Sequence, residues 1–211
     1  MATALEAVQV LKQRFGAAIG APVTFADKVT GRDEVTVTVA REHLVTVCQF
    51  LRQETTLAFG FLVDVCGLDN YDADPRYAVH YLLYSFGNRC LLRLQVEVPE
   101  DDATVASVTG VWKGADWHER ECYDMLGIRF TGHPDLRRIL MWEGYPYFPL
   151  RKDFPVEGKS SDVADVAFTE VAPLEGGPFV TAPAAHTADR EPRVRENALP
   201  KNVRPTKQDK P

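Results

Sequence analysis

The chain lacks most of what would announce a catalyst. Its four cysteines, Cys48, Cys66, Cys90 and Cys122, are scattered with no Cys-x-x-Cys pair among them. That spacing excludes the usual iron–sulfur frames, offers no zinc site, and suits reduced thiols better than a disulfide scaffold. No Gly-x-Gly-x-x-Gly or phosphate loop is present, so no nucleotide fingerprint can be read. No apolar run approaches the roughly 20 residues of a membrane span. The first residues, MATALEAVQVLKQRF, have no basic start followed by an apolar block, so no secretion signal is expected. Basic charge is not in excess either. The net charge of −6 argues against a general nucleic-acid binder, which needs a basic face.

Several patterns are present. Leu5, Val8, Leu11 and Phe15 share a helical face closed by Gly16. Pro22–Phe25 and Glu34–Val39 read as strands, the second from Val35, Val37 and Val39 alternating with Thr36 and Thr38, with a turn at Thr30–Asp33 between them. Arg41–Thr55 reads as a second helix, and the apolar run Phe59–Val65 as a central strand. Asp69, Asp72 and Asp74 then crowd a polar loop, expected to be a solvated turn. Tyr77–Phe86 and Arg89–Val98 are two long strands joined at Gly87-Asn88, a candidate tight hairpin. After Pro99–Asp102 a helix is expected up to Leu126, interrupted near Gly110 and Gly114 and stopped at Gly127. The order αββαβββα implies an α+β fold, a single two-layer domain with helices packed on a mixed sheet.

Two regions of different character follow from composition. Residues 1–155 hold the periodic elements and form the domain. Residues 156–211 are rich in Pro, Gly and small residues, with single apolar anchors such as Phe168 and Phe179. Such a segment buries too little of itself to offset the cost of ordering, so it is expected to be an extended tail ordered only on a partner.

The densest stretch is Ala115–Pro155. Gly132-His133-Pro134-Asp135 reads as a turn opening a short helical piece through Arg137 and Arg138, and Leu150–Pro155 as an extended strap leaving the domain. His118 and Cys122, one helical turn apart with Glu119 between, fall short of a metal motif, since a second histidine and a third ligand are missing. His133 has no evident nucleophile or partner base, so a hydrolase using His133 with Asp135 is the weaker rival. The charged residues of the stretch suit either a solvated surface or an ion-pair network fixing the register between two proteins.

Three blocks carry a resemblance. Glu119-Arg120-Glu121-x-Tyr123-Asp124-x-x-Gly127-Ile128, then Gly132-His133-Pro134-Asp135-Leu136-Arg137-Arg138-Ile139-Leu140, then Pro149-Leu150-Arg151-Lys152-Asp153-Phe154-Pro155 resemble, in that order, the signature of the 30-kDa (C-type) subunit of respiratory complex I, the proton-pumping NADH:quinone oxidoreductase. The family usually runs Gly-His-Pro-Leu-Arg-Lys-Asp where this chain has Gly144-Tyr145-Pro146-Tyr147-Phe148-Pro149-Leu150, so a role for that histidine is not carried over. The resemblance implies a non-catalytic scaffold in the peripheral arm, on the cytoplasmic side of the bacterial inner membrane. It implies two neighbours in complex I: the quinone-site D subunit (49-kDa type) beside it, and the B subunit, which holds the terminal cluster, nearby. It implies no catalytic, cofactor-binding or metal residue in this chain, with FMN, Fe-S clusters and quinone held by other subunits, and no activity in the isolated chain. It selects Glu119, Arg120, Glu121, Tyr123, Asp124, Gly132, His133, Pro134, Asp135, Arg137, Arg138, Leu150, Arg151, Lys152 and Asp153 as partner contacts. The alternative within the superfamily is the equivalent subunit of a membrane-bound hydrogenase or of a quinone reductase with another donor.

Overall fold

Alternation of apolar residues along the strands generates the centre of the molecule. In the computed structural model, which describes residues 2–26, 33–142 and 144–155, the strands are β1 (Ile19–Ala26), β2 (Asp33–Val39), β3 (Phe61–Asp69), β4 (Tyr77–Ser85) and β5 (Cys90–Val98). They form one sheet in the order β1-β2-β5-β4-β3. All neighbours are antiparallel except β2 and β5, which are parallel, so the sheet is mixed as expected. The register aligns Val37, Leu94, Tyr81 and Val65 in one row, and Val35, Leu92, Leu83 and Leu62 in the next. Every side chain in both rows is buried.

Three helices share a core with that face: α1 (Ala4–Phe15), α2 (Leu44–Gln53) and α3 (Ala115–Leu126). Thr3 and Glu6 form a reciprocal capping box at the start of α1, each side chain accepting from the other's backbone N–H. Gly16 closes that helix, as its place in the sequence implies. The second helix is shorter than expected, because Arg41–His43 winds as a 3₁₀ turn before α2 begins. Two short strands, β6 (Thr104–Ala106) and β7 (Arg129–Thr131), pair in parallel outside the main sheet.

The sequence expectations need four corrections. The apolar run at Phe59–Val65 is not a central strand: β3 is an edge strand, it continues to Asp69, and Phe61 is 48% exposed on it. The Gly87-Asn88 hairpin is a four-residue turn over 86–89 in which Arg89 takes the positive φ, while the Asn88 side chain donates to the carbonyls of Thr56 and Leu57. No helix precedes Ala115 in the stretch after Asp102, since β6 and a run of turns occupy residues 104–114. Residues 135–138 do not form a helix either; they lie between turns and bends. The turn at Thr30–Asp33 falls almost wholly outside the described residues, and the expected tail from Val156 onward lies wholly outside them.

Candidate partner interface

The site is built outward from α3. Gly127 ends the helix in the left-handed conformation, φ 80°, and its N–H returns to the Tyr123 carbonyl. A Cβ there would also strike the Arg151 guanidinium and the Phe148 ring, so only glycine fits. Across the interface with β3, Gly67 leaves space filled by Leu126, whose methyl a Cβ would overlap. The Cys122 thiol donates to the Val65 carbonyl at 3.5 Å, so it satisfies a backbone group of the edge strand. Burial pushes this thiol up to about 12. Its neighbour His118 is half-buried and pairs with Asp64 at 2.9 Å.

Two carboxylates of the signature point inward. Glu119 and Asp124 are each 0% exposed. Glu119 accepts from the Val108 N–H at 2.7 Å, its second oxygen has no hydrogen-bond partner among the described residues, and burial raises its carboxyl from 4.5 to about 7. One oxygen of Asp124 accepts from the consecutive N–H groups of Ile139, Leu140 and Met141 at 3.0, 2.6 and 2.8 Å, and the other takes the Arg138 guanidinium. Burial acts to raise this carboxyl, but these bonds outweigh it and hold it below the usual range.

Arg138 also donates to the Tyr145 and Tyr147 carbonyls at 2.6 and 3.1 Å and lies over the Tyr145 and Phe148 rings. Glu119, Asp124 and Arg138 are therefore internal braces of this chain rather than surface contacts. Their charges fix loops of this chain through backbone groups of residues 108, 139–141, 145 and 147.

The strap over Leu150–Pro155 is also corrected: it turns back onto the domain instead of leaving it. Leu150 N–H bonds the Met125 carbonyl, Arg151 Nε bonds the Leu126 carbonyl at 2.7 Å, and Lys152 N–H bonds Asp69. Arg76 makes the decisive contact. Its buried guanidinium holds Asp69 through two bonds at 2.9 and 2.8 Å, Glu100 at 2.6 Å and Asp153 at 2.8 Å. The Arg76 bond, first among several causes, holds Asp69 below the usual carboxylate range. Asp72 and Asp74 are exposed as a solvated turn requires, but Asp69 is a buried anchor. Sequence reasoning placed Asp69 in a solvated turn and gave Arg76 no role. Both flank the polar loop, and their partners lie as far as 83 residues away.

The remaining candidates lie at or near the surface. Arg120 donates to the Arg137 and Arg138 carbonyls and sits over Trp117, which is 66% exposed. Glu121, Pro134, Asp135, Arg137, Leu150 and Lys152 are exposed, Asp153 keeps an exposed side despite its bond to Arg76, and Tyr123 is half-buried. Gly132 takes φ 81° and starts the turn of His133. The His133 ring is enclosed: Nδ1 accepts from the Asp135 N–H at 3.0 Å, which places the proton on Nε2, 3.2 Å from the Asp116 carbonyl. Asp135 pairs with Arg137 instead. With both ring nitrogens committed to backbone, the geometry gives His133 a turn-locking role and no nucleophile to activate. Among the described residues no three His, Cys, Asp or Glu side chains are grouped as a metal would require.

This arrangement of an acidic helix, a braced loop and a returning strap lies entirely within residues 37–160, which match the family model described as "Respiratory-chain NADH dehydrogenase, 30 Kd subunit". The chain belongs to that family. Among its relatives, the C subunit of the NADH-quinone oxidoreductase of Geobacter sulfurreducens is 44% identical over 159 residues, covering 75% of this chain and 93% of the relative. The C 2 subunit of the same enzyme in Rhizobium etli is 52% identical over 120 residues, 57% of this chain, and the match spans only 64% of that relative's length. A trypsin-resistant fragment of Nqo5 superposes with a TM-score of 0.50 at 30% identity, covering 63% of this chain and 99% of the fragment. A chain of the membrane-bound sulfane sulfur reductase, an archaeal respiratory membrane complex, shares the fold with a TM-score of 0.56 at 16% identity, over 70% of this chain and 85% of that one. In this chain, the signature residues divide into an inward set that braces and an outward set that remains on the surface.

Proposed function

We propose that this chain is the 30-kDa subunit of a proton-translocating NADH:quinone oxidoreductase and acts there as a scaffold with no catalytic group of its own. The observation that carries this reading is the family match over residues 37–160, together with alignment to 93% of the length of a relative named as the C-type component of NADH-quinone oxidoreductase. In such an enzyme two electrons pass from NADH through FMN and Fe-S clusters to quinone, and the cofactors sit in other subunits. The part played by this chain is positional. It packs beside the 49-kDa D subunit and near the B subunit, peripherally on the cytoplasmic face of the membrane, and keeps its neighbours at the spacing electron transfer needs. One feature supports a positional role: the buried charges fix loops of this chain. The outward set, Arg120, Glu121, Tyr123, Asp135, Arg137, Leu150, Lys152 and Asp153, is assigned to contacts with those neighbours.

The test is affinity purification of the tagged chain from detergent-solubilised membranes, followed by identification of what accompanies it. Flavin-bearing and quinone-site subunits, with NADH:quinone activity in the preparation, are expected. Hydrogenase subunits in their place would overturn the assignment, and so would iron or flavin bound stoichiometrically to the purified chain alone.

A further inference from the structure

Glu119 and Asp124 lie on one helix and are equally buried, yet their surroundings differ. Asp124 receives three backbone N–H groups and a guanidinium. Glu119 receives one backbone N–H, from Val108, and its second oxygen is buried with no hydrogen-bond partner among the described residues. The groups facing it come from each element packed around it. Asp116, on the same helix, repels a negative charge there. The Ser107 hydroxyl and the Val108 N–H, from the segment before the helix, favour one. Cys48 of α2 and Tyr81 of β4 lie within electrostatic reach, and burial raises both, so both are neutral. None of these groups is a cation. A carboxylate enclosed in this way is less stable than the acid, and burial raises the carboxyl to about 7.

What Glu119 holds is the segment 107–114 that leads into α3. This segment is a run of turns, and Gly114 at the helix start supplies no side-chain cap. Residue 108 is its node. The Val108 N–H donates to Glu119 at 2.7 Å, and the Val108 carbonyl accepts from both the Val111 and the Trp112 N–H. Beside it, the Ser107 N–H donates to the Thr131 carbonyl, and Val108, Val111 and Trp112 are buried in the core. One carboxyl group therefore anchors a short segment whose other backbone bonds are mostly internal to the turn.

We propose that Glu119 is a proton-operated latch: protonated, it pins residue 108 and the turn 107–114 against α3; ionised, it draws water to its second oxygen, and the turn opens locally while the sheet stays folded. The second oxygen sets the direction. An ionised carboxylate needs donors on both oxygens, and the enclosure offers one N–H and one hydroxyl. Water is the remaining donor, and it reaches the carboxylate only when residues 107–112 move. The closed form holds the proton more tightly than the open form, in which the carboxyl titrates near its ordinary value of 4.5. Closure is therefore strongest in acid and weakens as pH rises through about 7.

Native-state hydrogen exchange on the purified full chain tests this. The amides of Val108, Val111 and Trp112 report the latch, after correction for the intrinsic rise of exchange with pH. Their opening constant is expected to rise roughly tenfold between pH 6 and pH 8 and to level off above that. Glu119→Gln keeps the oxygen that meets the Val108 N–H and cannot ionise, so it is expected to lose the step. Low concentrations of urea separate local from global opening: exchange at the three amides should not respond, whereas exchange at Leu83 and Leu94 in the sheet should accelerate. The absence of a step in wild type, an equal step in Glu119→Gln, or a urea response at the three amides matching that of Leu83 and Leu94 would each overturn the latch. Should Glu119→Gln fail to fold, the wild-type step and its response to urea decide the matter alone.

Discussion

Arg138 and Asp124, 14 residues apart, close a pair inside the domain, and the same carboxylate gathers three consecutive backbone N–H groups of residues 139–141. One aspartate on α3 thus fixes the start of the loop that follows Arg138, and one arginine fixes its middle. Removing one member of a buried pair strands the other, which costs several kcal/mol.

Arg138→Ala is therefore expected to destabilise the purified full chain by about 3 kcal/mol, in contrast to the near-neutral effect anticipated for a partner anchor. Urea titration followed by tryptophan fluorescence measures it. An unchanged midpoint with impaired assembly would return Arg138 to the interface.

Gly67→Ala pushes a methyl into Leu126 and should cost about 1–3 kcal/mol, the usual range for overpacking. Gly60→Ala is the control, because a Cβ there meets nothing within 4 Å. Thermal melts of the two variants should separate clearly; equal melting temperatures would mean that α3 moves away from β3 without penalty.

Cys122→Ala leaves the Val65 carbonyl without the thiol as partner, at about 1–3 kcal/mol. Cys122→Ser keeps a donor and acceptor and should recover part of that loss. Because burial raises the thiol to about 12, iodoacetamide at pH 8 should spare Cys122 in the folded chain and modify it in urea. Rapid labelling of the folded chain would contradict the burial.

Glu119 produces a pH signature. Its folded carboxyl is raised to about 7 by burial, above the ordinary value near 4.5, so the folded state holds its proton more tightly than the unfolded state. Its contribution is complete below about 4.5 and is lost as pH rises through about 7, an effect of roughly 3 kcal/mol. Asp69, Asp124 and Asp153, held low, act oppositely and lose their contribution only as pH falls below the usual carboxylate value. Urea midpoints between pH 5 and pH 8 should fall for wild type and stay level for Glu119→Gln. Parallel slopes would show that Glu119 is ionised throughout.

The helices and long strands were legible in the sequence because their apolar residues recur at 3.6 or 2 positions, and Gly16 and Gly127 mark real helix ends. The rank of a strand within a sheet has no such signal. Phe59–Val65 reads as central, yet Phe59 precedes the strand and Phe61 faces outward on an edge. Charge was the least legible. Glu119 and Asp124 look solvated on a helical wheel, but the loops they brace arrive from residues 108 and 138–141. Arg76 gave no local hint at all, since its partners are 7, 24 and 77 residues distant.

The parallel junction of β2 with β5 bears on how the chain is made. Val35 faces Leu92, and Val37 faces Leu94, so the middle of the sheet joins segments 57 positions apart in the chain. Until β5 leaves the ribosome, the α1–β1–β2 portion and the β3–β4 pair have no strand between them to join their apolar faces. Contacts this distant in sequence slow folding, since the intervening chain must be closed before they repay the entropy. A nascent chain halted before Cys90 would therefore expose Val35, Val37, Val79, Tyr81 and Leu83 together, the state in which this subunit most needs a chaperone.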